Sequence, residues 1–215
     1  KAWLFDNFES FVDNISLYVD DPHFAFISFR DYPFKPYGNP SYGDWPYRIE
    51  QNLTDSITDL KSAINSIVIT GGEDWPESYG RVMYESYADT NISYRSNARR
   101  ILIIIGDAIP HDNNIYEGVP ELTTVRNTAV DPGRDGVVNT ADDLDLQIVL
   151  SGLTDRDITL FMLLCPYNYN YSADDYKCWS YWCSLTGGGA RRIATAGEML
   201  QAVSDLFSDM VGSVD

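Results

Sequence analysis

Carboxylates gathered in short turns are what a divalent cation needs, and this chain has two such gatherings. The stretch "GGEDWPES", 71–78, sets Glu73, Asp74 and Glu77 around a Trp-Pro pair, between the apolar run "INSIVIT" and the segment "YGRVMYESYA". A helix N-terminus behind Pro76 accounts for a carboxylate or two through the helix dipole; three in one turn point to hard-cation binding. The second gathering is "DPGRDGVVNTADDLDL", 131–146. Set against the twelve-residue calcium loop, Asp131 takes position one, Asp135 five, Gly136 the turn at six and Val137 the backbone carbonyl at seven. Asn139 takes nine and Asp142 twelve, with Asp143 or Asp145 as alternative closing ligands, while Gly133 at position three offers no side chain.

Other chemistry finds less support. Paired carboxylates can serve as general acid and base, but no Ser, Cys or His triad pattern accompanies them, and "TGGGARR" lacks phosphate-loop spacing. An enzyme is not expected. His23 and His111 stand too isolated to complete a zinc motif with Cys165, Cys178 and Cys183. For those cysteines, one disulfide joining Cys165 to Cys178 or Cys183 is the expectation, against three free thiols.

The balance of 32 acidic against 15 basic residues, net −17, opposes nucleic acid and anionic lipid as partners and favours cations. With 215 residues, 44% of them hydrophobic, one domain with a substantial core is expected. No run of eighteen apolar residues occurs, so no membrane insertion is expected. Sequons at Asn14, Asn52, Asn91 and Asn170 permit glycosylation and favour an extracellular or cell-surface location. The first residue is Lys1, which reads as a mature, processed or partial chain.

The elements that must position these groups follow from apolar spacing. Leu4, Phe8, Phe11, Ile15 and Val19 form one helical face; "FAFISF", 24–29, reads as a buried strand; and a turn-rich aromatic loop follows to Tyr47. Ile57, Leu60, Ile64 and Ile67 return to helical spacing, and another helix begins behind Pro76. "RRILIIIGD" reads as a central parallel strand, "DLDLQIVLSGL" as helix, "DITLFMLLC" as strand and "RRIA" as a short strand. The final helix, "TAGEMLQAVSDLFSDMV", opens on a Thr195–Glu198 capping box. This alternation predicts an α/β fold, a mostly parallel sheet with helices on both faces, whose ligands bind at the carboxyl ends of the strands. Asp31, Asp107 and the acidic turn would meet there.

Together "SFRDYP", "YGDWPYRIEQNLTD", "GGEDWPES" and "IIIGDAIPHD" resemble a von Willebrand factor type A domain, nearest the integrin β-subunit I-like branch and its microbial relatives, over nearly the whole chain. The resemblance implies one Rossmann-like domain, 1–215, with a calcium-loop insertion at about 112–143 that is itself similar to dockerin loops. It implies Mg²⁺ or Ca²⁺ at the top of the sheet, with Asp107 and Glu77 matching two of the family's metal ligands. Asp31, Asp74, Glu77 and the backbone around Pro76 match an adjacent calcium site. The family's first strand and its D-x-S-x-S motif do not occur in these residues, so a preceding segment or separate chain is expected to supply them. A sheet without that strand should show an apolar slot and two unpaired edges. Ala2 and Trp3 stand where integrin β subunits place acids, so a third metal site is not expected. The implied function is a metal-dependent (MIDAS-type) adhesion or protein-binding module, completed by an acidic group of its protein ligand. The alternative is a structural subunit of an extracellular filament or surface layer, with neighbouring subunits as partners.

Overall fold

Period-two alternation in the most apolar strand divides the core into two layers, and the rest of the fold follows from them. A computed structural model describes residues 2–68, 73–165 and 173–212. The strand "ITLFMLL", here β4 (Ile158–Leu164), is buried at all seven positions. Leu160, Met162 and Leu164 face one hydrophobic cluster; Phe161 and Leu163 face the other. It lies between two parallel neighbours, β3 (Arg100–Gly106), paired from Arg100↔Ile158 to Gly106↔Leu164, and β5 (Gly189–Arg192), paired from Phe161↔Gly189 to Leu164↔Arg192. The short strand read at "RRIA" thus begins two residues earlier, at Gly189.

Helices cover both faces of this three-stranded parallel sheet. On one side pack α3 (Tyr79–Ala88), α4 (Leu146–Thr154) and α5 (Ala173–Leu185), through residues such as Met83, Leu150 and Trp179. On the other pack α1 (Ala2–Ser16), α2 (Ile57–Ser66) and α6 (Ala196–Gly212), through Phe8, Phe11, Leu60, Ile64 and Phe207. Caps set the helix starts: Ser56 accepts from Asp59 N at 3.3 Å, and Asp145 from Ile148 N at 3.0 Å. Helix α3 starts at Tyr79, three residues after Pro76, and its N-cap Ser78 makes no side-chain cap, its hydroxyl being shared between the carbonyls of Arg30 and Pro46.

A separate antiparallel pair, β1 (Phe24–Ser28) and β2 (Arg48–Thr54), makes the second sheet. Among the described residues β1 and β3 are not paired, yet both feed the same two layers. Phe24, Phe26, Ile101, Ile103 and Ile105 pack against one cluster, and Phe29, just past β1, and Leu102 against the other. Strand β3 carries the apolar run Ile101–Ile105, but only Ile104 is fully buried in it, and among the described residues just one of its edges is paired.

The cysteine expectation is corrected: Cys165, Cys178 and Cys183 are all free thiols. The sheet explains why. Cys165 packs against the α1/α2/α6 cluster, whereas Cys178 and Cys183 lie in the opposite one, five residues apart on α5. Burial pushes the Cys165 thiol up to about 11 and that of Cys178 up to about 12, so native alkylation will be slow at neutral pH. Unfolding without reductant should release three alkylatable thiols by mass mapping; a recovered cross-linked peptide would overturn the assignment.

Candidate metal centre

Three chain segments meet beyond the carboxyl ends of β1 and β3. After β1 the chain places Asp31 with no exposed surface, its Oδ1 accepting from Tyr32 N at 2.7 Å. After β3 it passes Asp107 and reaches His111, also buried. The acidic turn is pinned between them: Glu77 N donates to Ile109 O at 2.9 Å and Ser78 N to Arg30 O at 3.3 Å. Trp75 packs against the core, which explains an indole in so charged a turn: it anchors the turn from below.

The three carboxylates of that turn have separate partners. Glu73 is exposed and accepts from Asn39 Nδ2 at 2.6 Å, with Lys35 Nζ at 3.3 Å. Asp74 joins Asp31 and His111 in a cluster whose ligand atoms all lie within 4.8 Å of one another. Glu77 turns inward, and its Oε2 is buried without a hydrogen-bond partner.

His111 is fixed from both sides. Its Nε2 lies 3.0 and 3.2 Å from the two Asp31 oxygens, and its Nδ1 lies 2.9 Å from Thr128 O. A carbonyl only accepts, so Nδ1 carries a proton. The edge of the Tyr37 ring packs against the imidazole, centroids 4.8 Å apart. Burial by itself would lower the His111 pKa; the Asp31 hydrogen bond and charge outweigh it and leave the group raised.

The surrounding carboxyls Glu77, Asp74 and Asp107 are all raised above their ordinary values. Burial, then the negative charge of Asp31, lifts Glu77 from 4.5 to about 8, with Asp107 and Asp74 adding to the rise. Asp74, although exposed at the surface, rises to about 7 through partial desolvation of its carboxyl and the proximity of Asp31, and Asp107 is raised by burial. Asp107 is held at the end of β3 by the Tyr79 hydroxyl, which accepts from the backbone N–H groups of Asp107 at 3.1 Å and Ala108 at 3.2 Å. Like charges crowded this closely, in a partly dry site, need protons or a cation to neutralise them.

No family model and no curated protein matches this chain. The site therefore stands on its geometry. Sequence reasoning located Asp31, Asp74, Glu77 and Asp107 but passed over His111, whose partners lie 80 and 37 residues away along the chain. The one available signal was its place four residues beyond Asp107, after a strand.

The 131–142 loop is arranged differently. Asp131 is buried and accepts from the Tyr32 hydroxyl, while Asp135 and Asn139 are exposed. Asp142 accepts from the N–H groups of Arg134 at 2.8 Å and Asp135 at 2.9 Å, and from the Thr140 hydroxyl at 2.7 Å, which lowers its pKa to about 2. Asp135 accepts from Val137 N at 2.7 Å. Among the described residues Asp131, Asp135 and Asp142 do not form one ligand cluster: the loop's amides and the Thr140 hydroxyl bond to Asp135 and Asp142, while Asp131 turns inward to Tyr32 and keeps its Oδ2 buried without a hydrogen-bond partner. Gly133 has φ +61°, and an added Cβ would collide with the Asp142 carbonyl, so position three lacks a side chain because the loop closes there.

Among the sequons, Asn14 lies within α1 with a buried Oδ1, Asn52 lies in β2 with its amide donating to Asn91 O, and Asn91 is exposed in a turn. Asn170 falls outside the described residues, as do Gly71 and Gly72 and the side chains of Ala2 and Trp3.

Proposed function

We propose that this chain is a metal-dependent protein-binding module of the von Willebrand factor type A kind, acting at a cell surface. The observation that carries the reading is the meeting of Asp31, Asp74 and His111, with Glu77 and Asp107 beside them, beyond the carboxyl ends of β1 and β3. Sheets with helices on both faces bind ligands at that edge. A divalent ion there would take up the negative charge and keep a coordination position for an acidic group of the partner. The reading puts the functional ion at the sheet edge, where the ligand atoms of three segments already lie together. It also puts a strand of the Rossmann-like sheet between β1 and β3, where two layers already continue across unpaired edges. Among the described residues no helix is long and apolar enough to cross a membrane.

The edges of β1 and β3 that are unpaired among the described residues also favour a second reading, a structural subunit that accepts a neighbour's strand. One experiment separates the two. A Glu/Asp-containing model peptide and an amidated control are titrated onto the protein with Mg²⁺, with Ca²⁺ and with chelator, for wild type and Asp107→Ala. The adhesion reading expects carboxylate-dependent binding with the ion only, lost in the variant. Sedimentation of ordered oligomers, with no carboxylate-dependent binding, would replace it with the subunit reading.

A further inference from the structure

We infer that the Asp31–Asp74–His111 cluster is a nitrogen-bearing site for a zinc-class divalent ion, with His111 Nε2 as a direct ligand. The inference deepens the reading of the strand-end loops as a metal site and rests on it; what it adds is the ligand atom and the class of ion.

Imidazole decides the class. Ca²⁺ and Mg²⁺ are hard ions that gather oxygens, whereas Zn²⁺ and its first-row neighbours accept imidazole together with carboxylate. Here the imidazole is presented as a metal ligand is. Its Nδ1–H is held by the Thr128 carbonyl at 2.9 Å, the outer bond that fixes ring orientation and leaves Nε2 facing the site. The Tyr37 ring packs against the imidazole at 85°. The two Nε2–oxygen separations to Asp31, 3.0 and 3.2 Å, sit close to the edge of a zinc tetrahedron, about 3.3 Å for bonds of about 2.0 Å. Asp31 is oriented in turn by Tyr32 N, and Asp74 brings a third ligand atom from the more exposed side.

Glu77 supplies an independent observation. Its Oε2 is buried and has no hydrogen-bond partner, in a residue whose carboxyl feels Asp31, His111, Asp107 and Asp74. A buried carboxylate oxygen without a partner is costly, and a bound cation relieves that cost. When the ion enters, the proton between His111 Nε2 and Asp31 leaves to solvent, and two metal–ligand bonds replace one hydrogen bond. The competing account is a buried His–Asp ion pair needing no metal.

His111 and His23 are the two histidines of the chain, which makes the test direct. Mn²⁺ is bound to wild type, His23→Gln and His111→Gln, and pulsed electron-spin resonance reads imidazole nitrogen coupling; calorimetry compares Zn²⁺ with Ca²⁺. The expected result is nitrogen coupling in wild type and His23→Gln, lost in His111→Gln. Zinc affinity should fall in His111→Gln by at least the roughly 10- to 100-fold that loss of a mere outer-shell partner costs. If Mn²⁺ binds with oxygen ligands alone, the nitrogen assignment is overturned and the broader metal reading survives. If neither Mn²⁺, Zn²⁺ nor Ca²⁺ binds, both fall. Should His111→Gln fail to fold, the spectrum of His23→Gln decides by itself, since His111 is then the only histidine.

Discussion

Stripped of metal, the protein will be more stable at pH 5 than at pH 8, the reverse of ordinary acid denaturation. The sign follows from protonation. Glu77 has an ordinary value of 4.5 and is raised to about 8 by burial and its anionic neighbours, so between those values the folded state holds a proton that the unfolded chain has released. Stability from this group is complete below pH 4.5 and is lost as pH climbs through 8. Asp74, raised to about 7, Asp131, raised to about 6 by burial, and His111, raised by Asp31, all act in the same direction. Asp142, lowered to about 2, has the opposite sign, but its window lies below pH 4 and does not overlap.

At about 1.4 kcal/mol per unit, and discounting the full shift of Glu77 for coupling within the cluster, unfolding free energy in chelator should drop by on the order of 2–3 kcal/mol from pH 5 to pH 8. Urea denaturation at the two values measures it. Glu77→Gln should flatten the slope and raise stability at pH 8, because the amide carries no charge to desolvate. Adding the ion at about 100 times its dissociation constant should restore about 2.7 kcal/mol at pH 8, and less at pH 5, where protons compete for the same oxygens. A free energy that stays level or increases from pH 5 to pH 8 in chelator would mean these carboxyls are solvated, and the site reading would lose its electrostatic basis.

How far the sequence reaches can be seen at particular residues. The runs "ILIII" and "ITLFMLL" are legible as strands from their unbroken apolar character, but the central position expected for the first belongs to the second: among the described residues β3 lies at the edge of its sheet with only Ile104 buried, and β4 is buried throughout. Strand β2 was not legible: Glu50, Gln51 and Asn52 occupy its middle, and an edge position paired only with β1 lets them reach solvent or neighbours. Helix α5 is legible in its spacing despite its many tyrosines and tryptophans. Its buried residues Asp175, Cys178, Trp179, Trp182 and Cys183 follow three- and four-residue steps along one face. At the site, Asp31 and Asp107 could be placed because each follows a strand. His111 could not, since an isolated histidine becomes a ligand only when distant segments fold against it. In the 131–142 loop the ligand spacing was legible, but not the partners its carboxylates have in the fold: the amides of Arg134 and Asp135 and the Thr140 hydroxyl at Asp142, and the Tyr32 hydroxyl at Asp131.

Gly106→Ala will cost the protein about 3 kcal/mol or more and will weaken divalent-ion binding with it. Gly106 ends β3, and a methyl group there would lie 2.9 Å from Cε1 and Cζ of Tyr79, with the phenolic oxygen closer still. Tyr79 has no room to yield. It is 1% exposed, with Phe29 against its ring at 4.9 Å and Trp179 at 5.2 Å. Trp179 is itself locked, with no exposed surface and its Nε1 donating to Ala108 O at 2.9 Å. The methyl group must therefore displace the Tyr79 hydroxyl from the N–H groups of Asp107 and Ala108, leaving those donors unsatisfied at about 1–3 kcal/mol each, or push the strand end itself. Either way Asp107 moves, and with it the chain that leads to His111. Tyr79→Phe separates the two contributions: it keeps the ring and the packing but removes the acceptor, so it should lose only the hydrogen-bond part of the stability while sharing the loss in ion affinity. Calorimetric ion titration beside urea denaturation of both variants reads each effect. If Gly106→Ala binds the ion as wild type does, the turn after β3 does not position the site, and Asp107 and His111 must be held by the loops alone.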